Sequence, residues 1–503
     1  VATAPRQTIK TVFRVAAFLA VILAVAACTG GKPEHPGGTL EPRSTTAAAA
    51  ATTAPTGSTN AAAGSTPVII SPTSGTQIRA TSAPGRAISS AQRPVHEPAS
   101  SAEELLHRDA VPTTQECISL LKEPCYEPAQ VRAAYNVDGL IRNGIDGTGQ
   151  TVVIIVSFGS PTLKEDLAAF SYAMGLPDAD VIELYPLGTD FKEIDPADTR
   201  GWAGETTLDA EWVHGIAPRA RIVVLASPVS ETEGVDGMPE FLALERYAVD
   251  NRLGSVISQS WGTSENLLDD ADGAAMRSDF DTFYQQAGGK GITVVTASGD
   301  HGPLADTLSG GVATVRSADW PAGVPWITVV GGTVLHLNPD GRYGSEIALD
   351  SNSVASGSGI SIFYDQPSEQ NILPASIQQV LNGKRGEADV AALGAGLLLY
   401  FAATPDRGAH PGVSGGTSAS APIWAAIVAL ANQAAGKGLG NINPALYQLG
   451  SSGKCFHDVT QGTNRFRNDP GEPALAGWDF PTGWGSPDAG CLVPALAAAT
   501  KGS

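Results

Sequence analysis

Apolar residues in this chain come in short β-branched runs, separated by glycines and by stretches of helical length. Thr151-Val152-Val153-Ile154-Ile155-Val156 lies between Gly149 and Gly159, and a continuous apolar run of that length predicts a buried strand. Runs at 221–226, 255–258, 292–296 and 327–330 predict further strands of the same kind. Residues 161–174, 238–250 and 280–287 read as the helices between them. This alternation implies an α/β fold, a mostly parallel sheet with helices on both faces. In such sheets chemistry gathers at the carboxyl ends of the strands, so the segments that follow the runs matter most. No internal repeat is present.

Before residue 102 that pattern is missing. Arg6, Lys10 and Arg14 precede an apolar run at 15–27, too short to span a bilayer comfortably, as in an export signal. Val25-Ala26-Ala27-Cys28 resembles a bacterial lipobox. The resemblance implies that residues 1–28 are a lipoprotein signal and that lipidated Cys28 tethers the mature chain to the outer face of the cell membrane. An ordinary signal peptide with an incidental cysteine is the plainer alternative. Residues 29–101 are Ala, Thr, Ser, Pro and Gly with few aromatics, and cannot bury enough apolar surface to order themselves. They read as a flexible stalk, whose cleavage would release a secreted protein. Residues 102–124 form a short cysteine-bearing entry, and 125–503 the main domain.

The formal net charge of −20 argues against a nucleic-acid partner. Nothing in the sequence demands more than a monomer. Beyond Cys28 the cysteines are Cys117, Cys125, Cys455 and Cys491, an even set that suggests disulfides in an exported chain. Local pairing, 117 with 125 and 455 with 491, is favoured among the three connectivities. Zinc is disfavoured because no CxxC or HxxxH spacing occurs.

Three stretches carry candidate chemistry. Ser414-Gly415-Gly416-Thr417-Ser418-Ala419-Ser420-Ala421-Pro422 leads through a glycine pair into an apolar run, placing Ser418 at the first turn of a helix beside unpaired N–H groups. A plain N-cap before a buried helix is the other reading. In Gly204-Glu205-Thr206-Thr207-Leu208-Asp209, a helix opens after a glycine-rich turn and carries two carboxylates at i and i+4 on one face. Like charges there destabilise a helix unless they share a proton or face a site, although a helix's first turn tolerates solvated acids. Leu208, Trp212 and Ile216 would pack that helix inward. Ser298-Gly299-Asp300-His301-Gly302 puts a carboxyl directly after a predicted strand, which is a site candidate or an ordinary turn aspartate. His214, His301, His336, His410 and His457 stand in no recognisable catalytic motif.

Together these stretches resemble the sedolisin family of serine-carboxyl peptidases, from about Tyr126 to the C-terminus. The resemblance implies a subtilisin-like fold, with Ser418 as nucleophile, Glu205 as base, Asp209 as its partner and Asp300 as oxyanion stabiliser. Ser258-Gln259-Ser260-Trp261-Gly262 resembles a strand-end segment that lines the substrate cleft. The implied chemistry is hydrolysis of peptide or protein substrates: Glu205 takes the proton of Ser418 and returns it to the leaving amine, while Asp209 shares that proton. An oxyanion-stabilising carboxyl donates only while protonated, which implies an acidic optimum. Segments 457–462 and 474–479 resemble the family's calcium-binding segments, implying one Ca2+ held by the carboxylates of Asp458 and Asp479 and the carbonyls of Val459, Leu475 and Gly477.

The residues before 125 do not read as the family's folded prosegment, which leaves the restraint of activity to pH or to a separate factor. Val156-Ser157-Phe158-Gly159 lacks the acid of a Ser-His-Asp subtilase. Two rivals stand beside the peptidase. Gly412-Val413-Ser414-Gly415-Gly416 fits a G-x-S-x-G elbow, which should follow a buried strand directly, and 403–411 is polar and loop-like. The other is a catalytically silent, surface-tethered binding protein with the same fold.

Overall fold

The predicted β-branched runs become the centre of one sheet. The computed structural model describes residues 111–499 except 122, 192–194, 232–236, 307–311, 352 and 403–407. The export signal, Cys28 and the stalk lie outside the described residues. The core strands are β1 (Thr151–Ser157), β2 (Asp180–Leu184), β3 (Arg221–Ser227), β4 (Val256–Gln259), β5 (Thr293–Ala297), β6 (Thr328–Leu337), β7 (Tyr343–Ala348) and β8 (Val390–Leu393). They pair in the order β7-β6-β5-β4-β1-β3-β2, with β8 also on β6, and every pairing is parallel except β6 with β7. From Val152 onward β1 is buried at every position, as its continuous apolar run requires.

The sheet is flanked by α1 (Leu163–Met174), α2 (Pro196–Ile216), α3 (Met238–Asp250), α4 (Ala271–Gly289) and α5 (Thr417–Ala435). Helices α2 and α5 pack on one another, as do α3 and α4. Helix α5 is apolar all round and buried over nearly its whole length, which marks a core helix of a large domain. Ile423, Ile427, Val428 and Leu430 are fully buried, each worth about 1.5–3 kcal/mol of apolar transfer.

Several elements exceed the sequence pattern. Helix α2 does not open at the Gly201–Gly204 turn: it begins at Pro196, capped by Asp195, whose carboxylate accepts the Ala197 N–H at 2.9 Å. Packing against β1, β3 and α5 holds both glycines inside the helix despite their poor propensity. Leu208, Trp212 and Ile216 are buried as expected. The polar stretch before the G-x-S-x-G sequence ends in a strand, β10 (His410–Ser414), which forms a two-stranded hairpin with β9 (Leu397–Phe401). That strand is half-exposed and outside the central sheet, and the helix after it starts only at Thr417, so it is no hydrolase elbow.

Both expected disulfides are formed, Cys117–Cys125 and Cys455–Cys491. The first packs with Leu398 in a small apolar cluster that fastens the entry segment to β9. Among the described residues no helix is long and apolar enough to cross a membrane.

Candidate active site

The glycine pair before Ser418 solves a packing problem. Gly415 lies so close to Gly394 that a Cβ would stand 2.6 Å from its carbonyl oxygen. Gly416 has φ +112° and meets Asp300 on its other side, where a Cβ would lie 2.7 Å from Oδ2. The chain is thereby pressed between the end of β8 and the loop after β5. Thr417 completes the joint: its N–H and Oγ–H both reach Asp300 Oδ1, at 2.7 and 2.8 Å, with Oγ also 3.0 Å from the Gly299 carbonyl. A carboxyl group therefore caps the N-terminus of α5, where the helix dipole favours negative charge. Because Oδ1 accepts both bonds, a proton on this acid belongs on Oδ2.

The paired acids approach from α2. Glu205 sits in its third turn and Asp209 in its fourth, neither in its first, and Asp209 is fully buried while Glu205 is half-buried. They are therefore not a solvated pair at a helix start. Ser260, immediately beyond the carboxyl end of β4, lies 3.0 Å from Asp209 Oδ1 and 3.2 Å from the Ser418 carbonyl oxygen. Three of the sequence candidates are thus joined through neighbours, Ser418 to Asp300 by Thr417 and to Asp209 by Ser260, and Glu205 lies one turn before Asp209 on α2. Thr417 and Ser260 were both inside quoted motifs, but only tertiary contact reveals their bridging. Beside the acids runs an aromatic wall, Trp202–Phe241–Trp261–Phe280–Trp320, with ring centroids 4.7–6.3 Å apart. Trp261 of the 258–262 segment belongs to this wall, which makes the surroundings apolar.

Further carboxyls are buried in the same domain. Asp319 packs on Gly299, where a Cβ would lie 1.8 Å from its Oδ2, and its N–H donates to Glu387 Oε1 at 3.2 Å. Burial pushes Glu387 well above the usual carboxyl range, with the charges of Glu265 and Asp319 adding to the effect. Burial likewise lifts Glu265 to about 7 and Asp166 to about 6, and Glu211, Glu245 and Glu346 are raised for the same first cause. Desolvation disfavours the charged form of each, so acid keeps them neutral.

The candidate calcium residues share one loop region. Asp458 accepts the Gly477 N–H on both oxygens, at 3.2 and 3.0 Å. Asp479 accepts from Leu475 N–H at 2.7 Å and from Thr482 N–H and Oγ–H at 2.9 and 2.8 Å. Val459 is buried beside them. Among the described residues no group of three or more His, Cys, Asp or Glu side chains is gathered for a metal. Two carboxylates completed by backbone oxygens still fit a hard cation. Burial pushes Asp479 up to about 7 with Asp458 adding to it, a cost that a bound cation would relieve.

A parallel α/β sheet, a serine at the head of a buried helix and a capping aspartate define the class as a subtilisin-like hydrolase fold. Comparison agrees: the profile of the subtilase family matches residues 201–448. Kumamolisin from Bacillus sp. (strain MN-32) is 32% identical over 383 residues, covering 74% of this chain and 63% of the relative. Sedolisin from Pseudomonas sp. (strain 101) is 30% identical over 350 residues, 67% of this chain and 56% of the relative. The solved structure of Pseudomonas sedolisin, a serine-carboxyl proteinase complexed with two molecules of pseudo-iodotyrostatin, superposes with a TM-score of 0.62 at 27% identity, covering 75% of this chain and 98% of that one. The chain belongs to the sedolisin family. It spans less than two thirds of the length of the curated relatives it matches.

Proposed function

We propose that this protein is a serine-carboxyl endopeptidase that hydrolyses peptide bonds of peptides or proteins in acid. One observation carries the reading: Ser418 is tied to Asp300 through Thr417 and to Asp209 through Ser260, although these residues are far apart in sequence. Ser418 Oγ attacks the scissile carbonyl as Glu205 removes its proton, forming the tetrahedral intermediate. Asp209 shares that proton with Glu205. Asp300, protonated on Oδ2, donates to the oxyanion while Oδ1 stays held by Thr417. Glu205 then protonates the leaving amine, and water attack on the acyl-enzyme repeats the cycle. The raised carboxyls of Glu265, Glu387 and Asp166 support an acidic working range, since their neutral forms suit the buried sites.

Asp458 and Asp479, with the carbonyls of Val459, Leu475 and Gly477, are the proposed ligands of one calcium ion, whose charge would bind the C-terminal loops together. Export is supported by the two disulfides, which persist in oxidising compartments. Membrane tethering through Cys28 and a monomeric state complete the proposal on sequence grounds alone. The test is cleavage of a mixed peptide pool from pH 3 to pH 8 by wild type, Ser418→Ala and Glu205→Gln. Acid-limited cleavage abolished by both substitutions is expected. Cleavage that survives Ser418→Ala, or none by folded wild type at any pH, refutes the reading, the latter in favour of a silent binding protein.

A further inference from the structure

The mechanism assigns no role to the side chain that touches two of its members. Ser260 is 2% exposed, and its single hydroxyl hydrogen serves two acceptors, Asp209 Oδ1 and the Ser418 carbonyl. That carbonyl needs a donor for a covalent reason. In an α-helix it would bond the N–H of residue 422, and residue 422 is proline, which has none. Pro422 thus releases the one carbonyl attached to the nucleophile's own Cα, and the Ser260 hydroxyl stands where the missing donor is needed.

Resting on the serine-carboxyl reading, we infer that Ser260 is a positioning residue that couples the protonation of Asp209 to the orientation of Ser418. With Asp209 ionised, the Ser260 hydroxyl donates to Oδ1 and stabilises the carboxylate. With Asp209 protonated, the acid O–H donates to Ser260 Oγ, and the serine hydrogen turns to the Ser418 carbonyl. No covalent bond forms or breaks in this exchange; one hydroxyl rotates. The second arrangement fixes the peptide plane after Ser418, and with it the direction in which Oγ is presented. The protonation state of Asp209 therefore also decides when the nucleophile is held.

The surroundings single out Asp209 as the group that Ser260 reads. Glu205 lies on the same face of α2, and Asp300 reaches the site through Thr417. Helix α5 and strands β1 and β4 carry no charged residue. Asp166 of α1 meets α2 at Thr207, 3.4 Å away and about 200° round the helix from Glu205. Glu211 accepts the Tyr400 N–H of β9. Arg132 binds the Gly215 carbonyl at the far end of α2, and Arg221 of β3 pairs with Asp180 at the surface.

The test is the titration of Asp209 in the full chain, followed by 13C NMR of labelled aspartate carboxyls and assigned with Asp209→Asn. Ser260→Ala is expected to raise the midpoint by about one pH unit, a tenfold loss of preference for the ionised form. Ser260→Thr keeps the hydroxyl and is expected to leave it in place. Should the alanine variant fail to fold, Ser260→Cys, a weak donor of similar size, is expected to give a smaller upward shift. In turnover, Ser260→Ala is expected to lower kcat about tenfold with KM unchanged, and Thr to restore it. An unmoved midpoint in the alanine variant, or in the cysteine variant in its place, overturns the inference. The peptidase reading fails separately, if Ser418→Ala cleaves as fast as wild type, and the titration judges Ser260 in either case.

Discussion

Glu265→Gln offers a direct measure of how far burial of carboxyls tunes this fold to acid. Glu265 opens a short turn after β4 and is fully buried, accepting Ser361 Oγ–H and Ile362 N–H, each at 2.7 Å. Burial raises it from 4.5 to about 7 against the opposing pull of those bonds and of Arg277 and Lys384. Between those values the folded state keeps a proton that the unfolded chain releases. Its contribution is therefore fully present below about 4.5 and is lost as pH rises to about 7. At 1.36 kcal/mol per unit the loss is about 3 kcal/mol. For a domain of roughly 390 residues, with an unfolding entropy near 2.1 cal/mol/K per residue, that is about 4 °C in Tm. Glutamine does not titrate, so it removes the slope whatever constant offset it adds through its altered hydrogen bonding. The assay is Tm by calorimetry from pH 4 to pH 8, in a Ser418→Ala background that prevents self-cleavage. The difference between variant and parent is expected to move by about 4 °C in the variant's favour across that range. Parallel curves would refute the argument.

Burial of His214 gives the opposite slope. It is held neutral, its value lowered to about 4 first by burial, with Nε2 near Ser171 Oγ and the Pro177 carbonyl. The unfolded chain binds the extra proton first as pH falls from about 6.5 to about 4, so the domain loses about 3 kcal/mol over that window; His214→Gln should flatten the acid limb of the Tm curve. Replacing Cys455 and Cys491 by serine opens a loop of 36 residues and should cost about 4 kcal/mol in denaturant melts, whereas an unchanged midpoint would deny the clasp a role. Calcium at a hundred times its Kd should add about 2.7 kcal/mol to stability at pH 7. Proton competition at Asp479 should shrink that gain in acid, and Asp479→Asn should abolish it.

The central sheet was legible because its strands are continuous apolar runs, a pattern that parallel burial imposes directly on sequence. The site was legible for a related reason: glycines and small residues at 415–416 and 299–302 are what close backbone approach demands. What stayed hidden depends on distant contacts. The start of α2 was misplaced because Gly201 and Gly204 break helices locally, while packing holds them in one. Strand β7 is an antiparallel edge with few apolar residues, and β9 with β10 forms a hairpin off the sheet, so neither shows the long buried run. Glu211, Glu245 and Glu265 look like surface acids in sequence, since residue type alone does not reveal desolvation.

Those hidden acids change what the negative composition means. A surface rich in Asp and Glu would lose little by moving from pH 4 to pH 7, because exposed carboxylates ionise in water at small cost. Here Glu211, Glu245, Glu265, Glu346 and Glu387 are inside, each raised by burial, and each must either keep its proton or force a charge into the core. The acid that the proposed mechanism requires therefore favours the neutral form of these buried carboxyls too. The loss of activity that the proposed mechanism expects toward neutrality would then have two physical sources, one at the proposed oxyanion aspartate and one in the core. They would separate by rate and by variant: a change at the catalytic centre would reverse at once on return to acid, whereas core ionisation acts through opening of the fold. Glu265→Gln should slow irreversible loss at pH 7 yet leave the instantaneous pH–rate profile where it was.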